Sequence, residues 1–183
     1  MRIIAGSASG LSIKTPPSGV RPTMDRVRAA IFSSLGEKVP GAKVLDLCSG
    51  SGALGIEALS RGSEKAEFVE HNRQAAECIR QNLRSTGLEG KVHEMDVFKF
   101  LKLYAQHDHY DLIFADPPYD KTQSLPSVAE RLINEEGALS CLAPEGIFIL
   151  EKNARIACTI PASWQQLRSK RYGETEVLYL SRA

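Results

Sequence analysis

Lys43-Val44-Leu45-Asp46-Leu47-Cys48-Ser49-Gly50-Ser51-Gly52-Ala53-Leu54-Gly55 joins a short apolar run to a glycine-rich turn and then to a second apolar segment. That order reads as strand, loop and helix, the opening of a βαβ unit. The same alternation continues down the chain. Further strands are expected at 66–70, 91–94, 110–115 and 147–151, with helices at 53–61, 73–86, 97–105 and 128–139. Alternation of this kind predicts a parallel sheet with right-handed crossovers, helices on both faces, and ligands at the carboxyl ends of the strands. Residues 164–170 and 175–180 flank Tyr172-Gly173-Glu174 and read as an antiparallel hairpin that completes a seven-stranded sheet. At the other end, 2–5 and 11–14 around Gly6 and Gly10 suggest a small hairpin, followed by a helix over about 24–35. The expected division is an N-terminal appendage over residues 1–36 and an α/β domain over 37–183.

A chain of 183 residues, 43% hydrophobic and 25% charged, is long enough to bury one substantial core. No run approaches eighteen apolar residues, and the first residues are too short in apolar character for a secretory signal, so a cytoplasmic protein with no membrane partner is expected. Cys48, Cys78, Cys141 and Cys158 form no CxxC pair, and His71, His93, His107 and His109 form no ligand-like group; no metal is expected. The net charge of +1 is unevenly spread: residues 1–36 carry +4, residues 152–183 carry +4, and the middle carries −7. If both ends fold onto one side they would form a basic rim suited to a phosphate backbone. Charge alone does not separate that from an ordinary solvated surface.

The turn contains a literal GxGxxG, with Gly50, Gly52 and Gly55, which a dinucleotide enzyme would use to bring backbone N–H groups onto a pyrophosphate. Asp46, at the strand end just before it, argues against that use. A carboxylate there disfavours a pyrophosphate and attracts the ammonium of a methionine moiety, so S-adenosylmethionine fits better than NAD. Ser49, Gly50 and Gly52 then form the cofactor loop. Glu70, at the end of the second strand, is placed to accept hydrogen bonds from both ribose hydroxyls, and Asp96 with Val97 is placed to meet the adenine. Any one of these acids could equally be a helix cap or a solvated charge. Acids at successive strand ends are harder to read that way.

Asp116-Pro117-Pro118-Tyr119 follows the apolar run 110–115. Two prolines fix φ and remove two donors, so the carbonyls of Asp116 and Pro117 are held with little local competition. An exocyclic amine on a nucleobase is a poor nucleophile because its lone pair is delocalised into the ring. A carboxylate and a carbonyl that each accept one of its N–H bonds favour the pyramidal form in which the lone pair points at an electrophile. Tyr119 offers a ring on which the base can stack. The alternative is a stiff strand-ending turn in which Asp116 caps a helix.

Taken in order, Arg2-Ile3-Ile4-Ala5-Gly6, Arg21-Pro22-Thr23-Met24-Asp25-Arg26-Val27-Arg28, Gly50–Gly62, the Asp-Pro-Pro-Tyr loop and Tyr172-Gly173 cover essentially the whole chain. In these segments the chain resembles the bacterial 16S ribosomal RNA guanine-N(2) methyltransferases, the ribosomal RNA small subunit methyltransferase D family. The resemblance implies a Rossmann-like class I methyltransferase fold and S-adenosylmethionine as cofactor. It also implies methylation of a guanine amine in 16S rRNA, guanine 966 in the family's naming; a monomer acting on 16S rRNA or on the 30S subunit is expected. Asp116, Pro117, Pro118 and Tyr119 would be catalytic, while Arg21, Arg26 and Arg28 would hold RNA phosphates. Ala29, Ser33 and Ser9 depart from the residues usual in that family. Guanine over adenine rests wholly on the resemblance, since the acceptor loop would serve either amine. A DNA adenine methyltransferase and a non-catalytic nucleic-acid-binding module are the alternative readings.

Overall fold

In the computed structural model, which describes residues 1–16, 25–104, 109–118 and 126–183, strands and helices alternate from residue 43 onward. The elements are α1 (Asp25–Leu35), β1 (Lys43–Leu47), α2 (Ala53–Ser60), β2 (Lys65–Glu70), α3 (Arg73–Thr86), β3 (Lys91–Glu94) and α4 (Val97–Tyr104). They continue with β4 (Tyr110–Ala115), α5 (Val128–Asn134), α6 (Glu136–Cys141), β5 (Leu142–Asn153), β6 (Trp164–Tyr172) and β7 (Thr175–Arg182). Seven strands form one sheet in the order β3-β2-β1-β4-β5-β7-β6. β1 to β5 pair in parallel, and β7 runs antiparallel to both β5 and β6. The expected Rossmann-like arrangement, with its antiparallel C-terminal hairpin, is what forms.

Period-two alternation sorts the strand side chains into two cores. Val44, Phe114, Ile149 and Tyr179 face the layer containing α1, α2 and α3, while Leu45, Ile113, Leu150 and Leu178 face α4, α5 and α6. Gly55 sets the depth at which α2 docks. A Cβ there would come within 2.3 Å of the Phe68 ring, so only glycine lets the helix lie this close to β2. α3 is bounded by its own caps: the Asn72 side chain accepts from the Gln74 and Ala75 N–H groups, and Gly87 adopts φ +67 at the far end.

The N-terminal segment packs into the first core through Ile3, Ala8 and Ile13. Its tip lies on the C-terminal end of α2, where Ser7 N–H donates to the Ser60 carbonyl at 2.7 Å and Ala8 N–H donates to Ser60 Oγ at 3.0 Å. One turn earlier, the buried Glu57 accepts from Ile4 N–H at 2.8 Å and Ala5 N–H at 3.1 Å, and pairs with Arg61 at 2.7 Å. Residues 1–16 thus cap a helix whose other end opens at the glycine loop.

Two expectations need correction. The helix expected over 128–139 is two, because the backbone at Glu135 turns extended (ψ 118). The break lets Gly137 approach α4 so closely that a Cβ would lie 2.7 Å from the Leu101 carbonyl oxygen. β5 begins at Leu142, five residues before the expected strand, since a register shift between Tyr110 and Leu112 accommodates Pro144 and Gly146. The expected small N-terminal hairpin forms around an antiparallel bridge, Arg2 to Ser12, with Ile3 N–H donating to the Leu11 carbonyl and Ile13 N–H to the Met1 carbonyl.

Between β2 and β3, Glu67 Oε2 lies 2.7 Å from His93 Nε2, with both side chains buried. The hydrogen bond to His93, helped by Lys91 and Lys65, outweighs burial and holds the Glu67 carboxyl at about 2, against its ordinary 4.5. A depressed folded-state value means that this stabilisation is present above about pH 4.5 and is lost as pH falls through about 2. Glu67→Gln should therefore cost about 2 kcal/mol at neutral pH, a typical worth for a hydrogen bond to a charged group. The deficit relative to the unsubstituted protein should shrink in acid, as read from urea denaturation across pH.

Candidate active site

The order of the strands reverses between β1 and β4, and ligands of open α/β sheets bind at such a reversal. Leu47 stands level with Ala115 on one side and with Val69 on the other. The turn after β1 and the Asp-Pro-Pro loop after β4 therefore leave the sheet as neighbours, with the end of β2 on the far side of the turn. Strand spacing of about 4.8 Å brings all three within the span of one small ligand.

The turn is tightly fixed. Cys48 takes φ +57, a left-handed conformation rare for a side chain with a Cβ, and Gly50 and Gly52 follow at +57 and +78. Ser49 Oγ accepts from Val69 N–H at 3.0 Å and donates to the Asp46 carbonyl, so this hydroxyl binds the turn to β2. Gly50 N–H donates to Glu70 Oε2 at 2.9 Å, and Asn72 N–H donates to Glu70 Oε1 at 2.7 Å. Glu70 Oε2 keeps a further lone pair for a ligand.

Asp46 is 1% exposed, and its Oδ2 accepts from Gly55 N–H at 2.9 Å, which makes it a cap for the first turn of α2. Burial holds its carboxyl well above the ordinary range; the Gly55 bond opposes the shift, and the charges of Asp116 and Glu70 add to it. The Cys48 thiol is likewise pushed up, by burial first and then by Glu70, Asp116, Asp46 and Asp96. Four carboxylates thus bear on one turn. No lysine or arginine among the described residues pairs with Asp46, Glu70 or Asp96, and His71 makes the one ion pair, 3.3 Å from Glu70. An edge so rich in anions and poor in cations suits a positively charged ligand.

Asp96 is exposed, and its Oδ1 caps α4 by accepting from Lys99 N–H at 3.0 Å. The Val97 side chain is buried in the second core beside Val69 and Leu47, which leaves its backbone for any ligand contact. Asp116 is half-buried, Pro117 buried and Pro118 exposed. Tyr119 and Arg21 lie outside the described residues. Beside the two prolines is a shallow cleft, open to solvent and bordered by Val128, Ala129, Lys152 and Cys158; Asp46 and Glu70 do not line it.

The structure separates Arg26 and Arg28, two of the three arginines expected to hold phosphates. Arg26 is exposed at the start of α1. Arg28 is not the phosphate contact expected of it: its side chain is 0% exposed, 3.1 Å from Asp25 and 3.6 Å from Glu57, and it also donates to the Arg2 carbonyl. The reason is helical geometry, since Arg28 shares a face with Val27, Ile31, Phe32 and Leu35. Burial lowers its pKa, against the pull of Glu57 and Asp25. Sequence reasoning passed over Glu57, the partner of Arg28. A lone glutamate amid the apolar run Ala53–Ser60 was the available signal, because a buried charge requires partners. Among the described residues no group of three or more histidine, cysteine, aspartate or glutamate side chains is arranged to hold a metal ion. No helix among them is long and apolar enough to cross a membrane.

Residues 1–181 match the model of a family described as Conserved hypothetical protein 95. Ribosomal RNA small subunit methyltransferase D of Escherichia coli strain K12 is 32% identical over 176 residues, 95% of this chain and 86% of that protein. A solved Escherichia coli structure, described as a provisionally assigned methyltransferase, yhhF, has a TM-score of 0.86 at 30% identity, covering 100% of this chain and 98% of the other. A Thermus thermophilus 16S rRNA N2 G1207 methyltransferase, solved with AdoMet and guanosine, shares the fold with a TM-score of 0.70 at 24% identity, over 91% of this chain and 44% of that one. The chain belongs to the Conserved hypothetical protein 95 family, alongside the ribosomal RNA small subunit methyltransferase D proteins.

A carboxyl whose folded-state pKa is raised takes stability away as pH climbs from its unfolded value through its folded one. Asp46→Asn abolishes that loss. The ligand-free variant should therefore gain stability relative to the unsubstituted protein as pH rises above about 4, the ordinary aspartate value, and then hold a constant lead. Thermal denaturation across pH reads the difference.

Proposed function

We infer that this family member transfers the methyl group of S-adenosylmethionine to the N(2) amine of a guanine in 16S rRNA, guanine 966 in the family's naming. It acts as a monomer in the bacterial cytoplasm on assembled 30S subunits. One observation carries the reading: the level pairing of Leu47 with Ala115, which sets an anion-rich turn directly beside a proline-fixed acceptor loop. The names of the relatives support the RNA substrate and the methyl transfer.

The cofactor brings a sulfonium and an ammonium, the cations the turn lacks. Asp46 and Gly50 would hold its methionine end, Glu70 its ribose, and Asp96 with the Val97 backbone its adenine. The target guanine leaves its stack, as bases generally do for chemistry of this kind, and rests on Tyr119. Asp116 and the Pro117 carbonyl each accept one N–H of the amine and turn its lone pair toward the methyl carbon. When bound, S-adenosylmethionine would supply an electrophilic methyl carbon, the new N–C bond replacing the S–C bond whose electron pair would stay on sulfur in S-adenosylhomocysteine. The amine becomes acidic only as it is methylated, so its proton leaves late, to Asp116 or to water. Positioning supplies much of the rate, with about 7–11 kcal/mol within reach of well-oriented systems. Arg21 and Arg26 would hold RNA phosphates; Arg28 instead fixes α1 against α2.

Labelled S-adenosylmethionine offered with unmodified 30S subunits, naked 16S rRNA and duplex DNA should leave N(2)-methylguanine in the ribosomal RNA. Methyladenine in the DNA would overturn the assignment. Asp116→Ala should lower turnover by at least about 10²–10³-fold, the usual cost of losing a transition-state hydrogen-bond partner. Cofactor affinity measured by calorimetry should change little.

A further inference from the structure

The outermost strand of the sheet carries charge that the chemistry above does not use. Every residue from Gln165 to Arg171 is exposed, and β6 holds Arg168, Lys170 and Arg171 with no acidic residue. A bulge between Gln166 and Arg168 resets the alternation, so that Arg168 lies opposite Tyr179 and Lys170 opposite Val177. Tyr179 and Val177 belong to the core under α1, which puts both basic side chains on the α1 face of the sheet. Lys170 Nζ donates to Ser34 Oγ of α1 at 3.3 Å, so strand and helix are in contact. Arg168 and Lys170 make no ion pair among the described residues. By contrast, Arg155 pairs with Glu174, and Lys152 with Glu176.

Their level in the sheet matters as much as their charge. Ala115, Leu150, Leu178 and Ser169 stand in one row across β4, β5, β7 and β6. One residue further on, Asp116 and Lys170 therefore occupy the two ends of the next row. Three strand spacings separate them, about 14 Å. A polynucleotide whose target base reaches Asp116 passes its neighbouring phosphates within reach of an extended lysine or arginine at the other end of that row.

We propose that β6 is an RNA-backbone contact strip, in which Arg168 and Lys170 bind phosphates flanking the target nucleotide and continue the basic surface that Arg26 begins on α1. The proposal rests on the RNA reading above and extends it to the opposite end of the chain. Basic residues on an edge strand have another known use, to discourage edge-to-edge pairing between sheets. That use predicts self-association on their removal and no change in RNA affinity.

The test compares the full-length protein with Arg168→Gln/Lys170→Gln, a pair of changes that keeps long polar side chains on the edge. Affinity for unmodified 30S subunits and for 16S rRNA is measured at several salt concentrations, with S-adenosylmethionine affinity and oligomeric state as companion readouts. Two lost phosphate contacts should make the advantage of the unsubstituted protein shrink about tenfold between 50 and 200 mM salt, with cofactor affinity unchanged. Equal RNA affinity and equal salt dependence, with or without new self-association, would overturn the strip and leave the RNA reading standing. Failure of the unsubstituted protein to bind either RNA would overturn both.

Discussion

The parallel pairing of β1 between β2 and β4 is the constraint from which the site follows. Because Leu47 is level with both Val69 and Ala115, three chain segments leave the sheet at one edge and in one plane. Parallel strands end together at the same edge, and their side chains there are set by register. The consequence is electrostatic. Asp46, Glu70 and Asp116 meet around Cys48, and burial together with its acidic neighbours raises the pKa of Asp46. A ligand that carries positive charge relieves the repulsion among these carboxylates, so the crowding favours a cationic occupant.

A second buried charge connects this edge to the start of the chain. Glu57 sits one turn from the end of α2 and gathers two backbone N–H groups of the N-terminal segment together with Arg28 and Arg61. Removing one partner from such a group leaves a buried charge uncompensated, which is strongly destabilising. The N-terminal segment, α1 and α2 are consequently held as one unit, with the glycine turn at one end of it and the exposed Arg26 on its surface.

Much of the fold was legible in the sequence. Strand and helix periodicity placed β1 to β4 and α3 within a residue or so, because those segments obey local rules. Where tertiary contacts decided, local rules failed. Close approach of Gly137 to α4 split a helix that periodicity read as continuous, and a bulge carried β5 through Pro144, a residue that ordinarily ends a strand. The site divides in the same way. Asp46, Glu70 and Asp116 were readable as acids at strand ends, but which atoms cap a helix and which face a ligand depends on the fold. Arg28 misled because its charge suggested the surface, while its place in the helical repeat put it in the core beside Glu57, the partner that sequence reasoning missed.

Calorimetric titration with S-adenosylmethionine across pH, on the unsubstituted protein and on Asp46→Asn, tests the central claim that an anion-crowded edge is built for a cationic cofactor. A bound cation favours ionised Asp46, so affinity should tighten, with proton release, as pH rises through the raised Asp46 range, and should then level off. Both the pH dependence and the proton release should vanish in the variant. Binding that is independent of pH and equal in the two proteins, or no binding at all, would contradict the account.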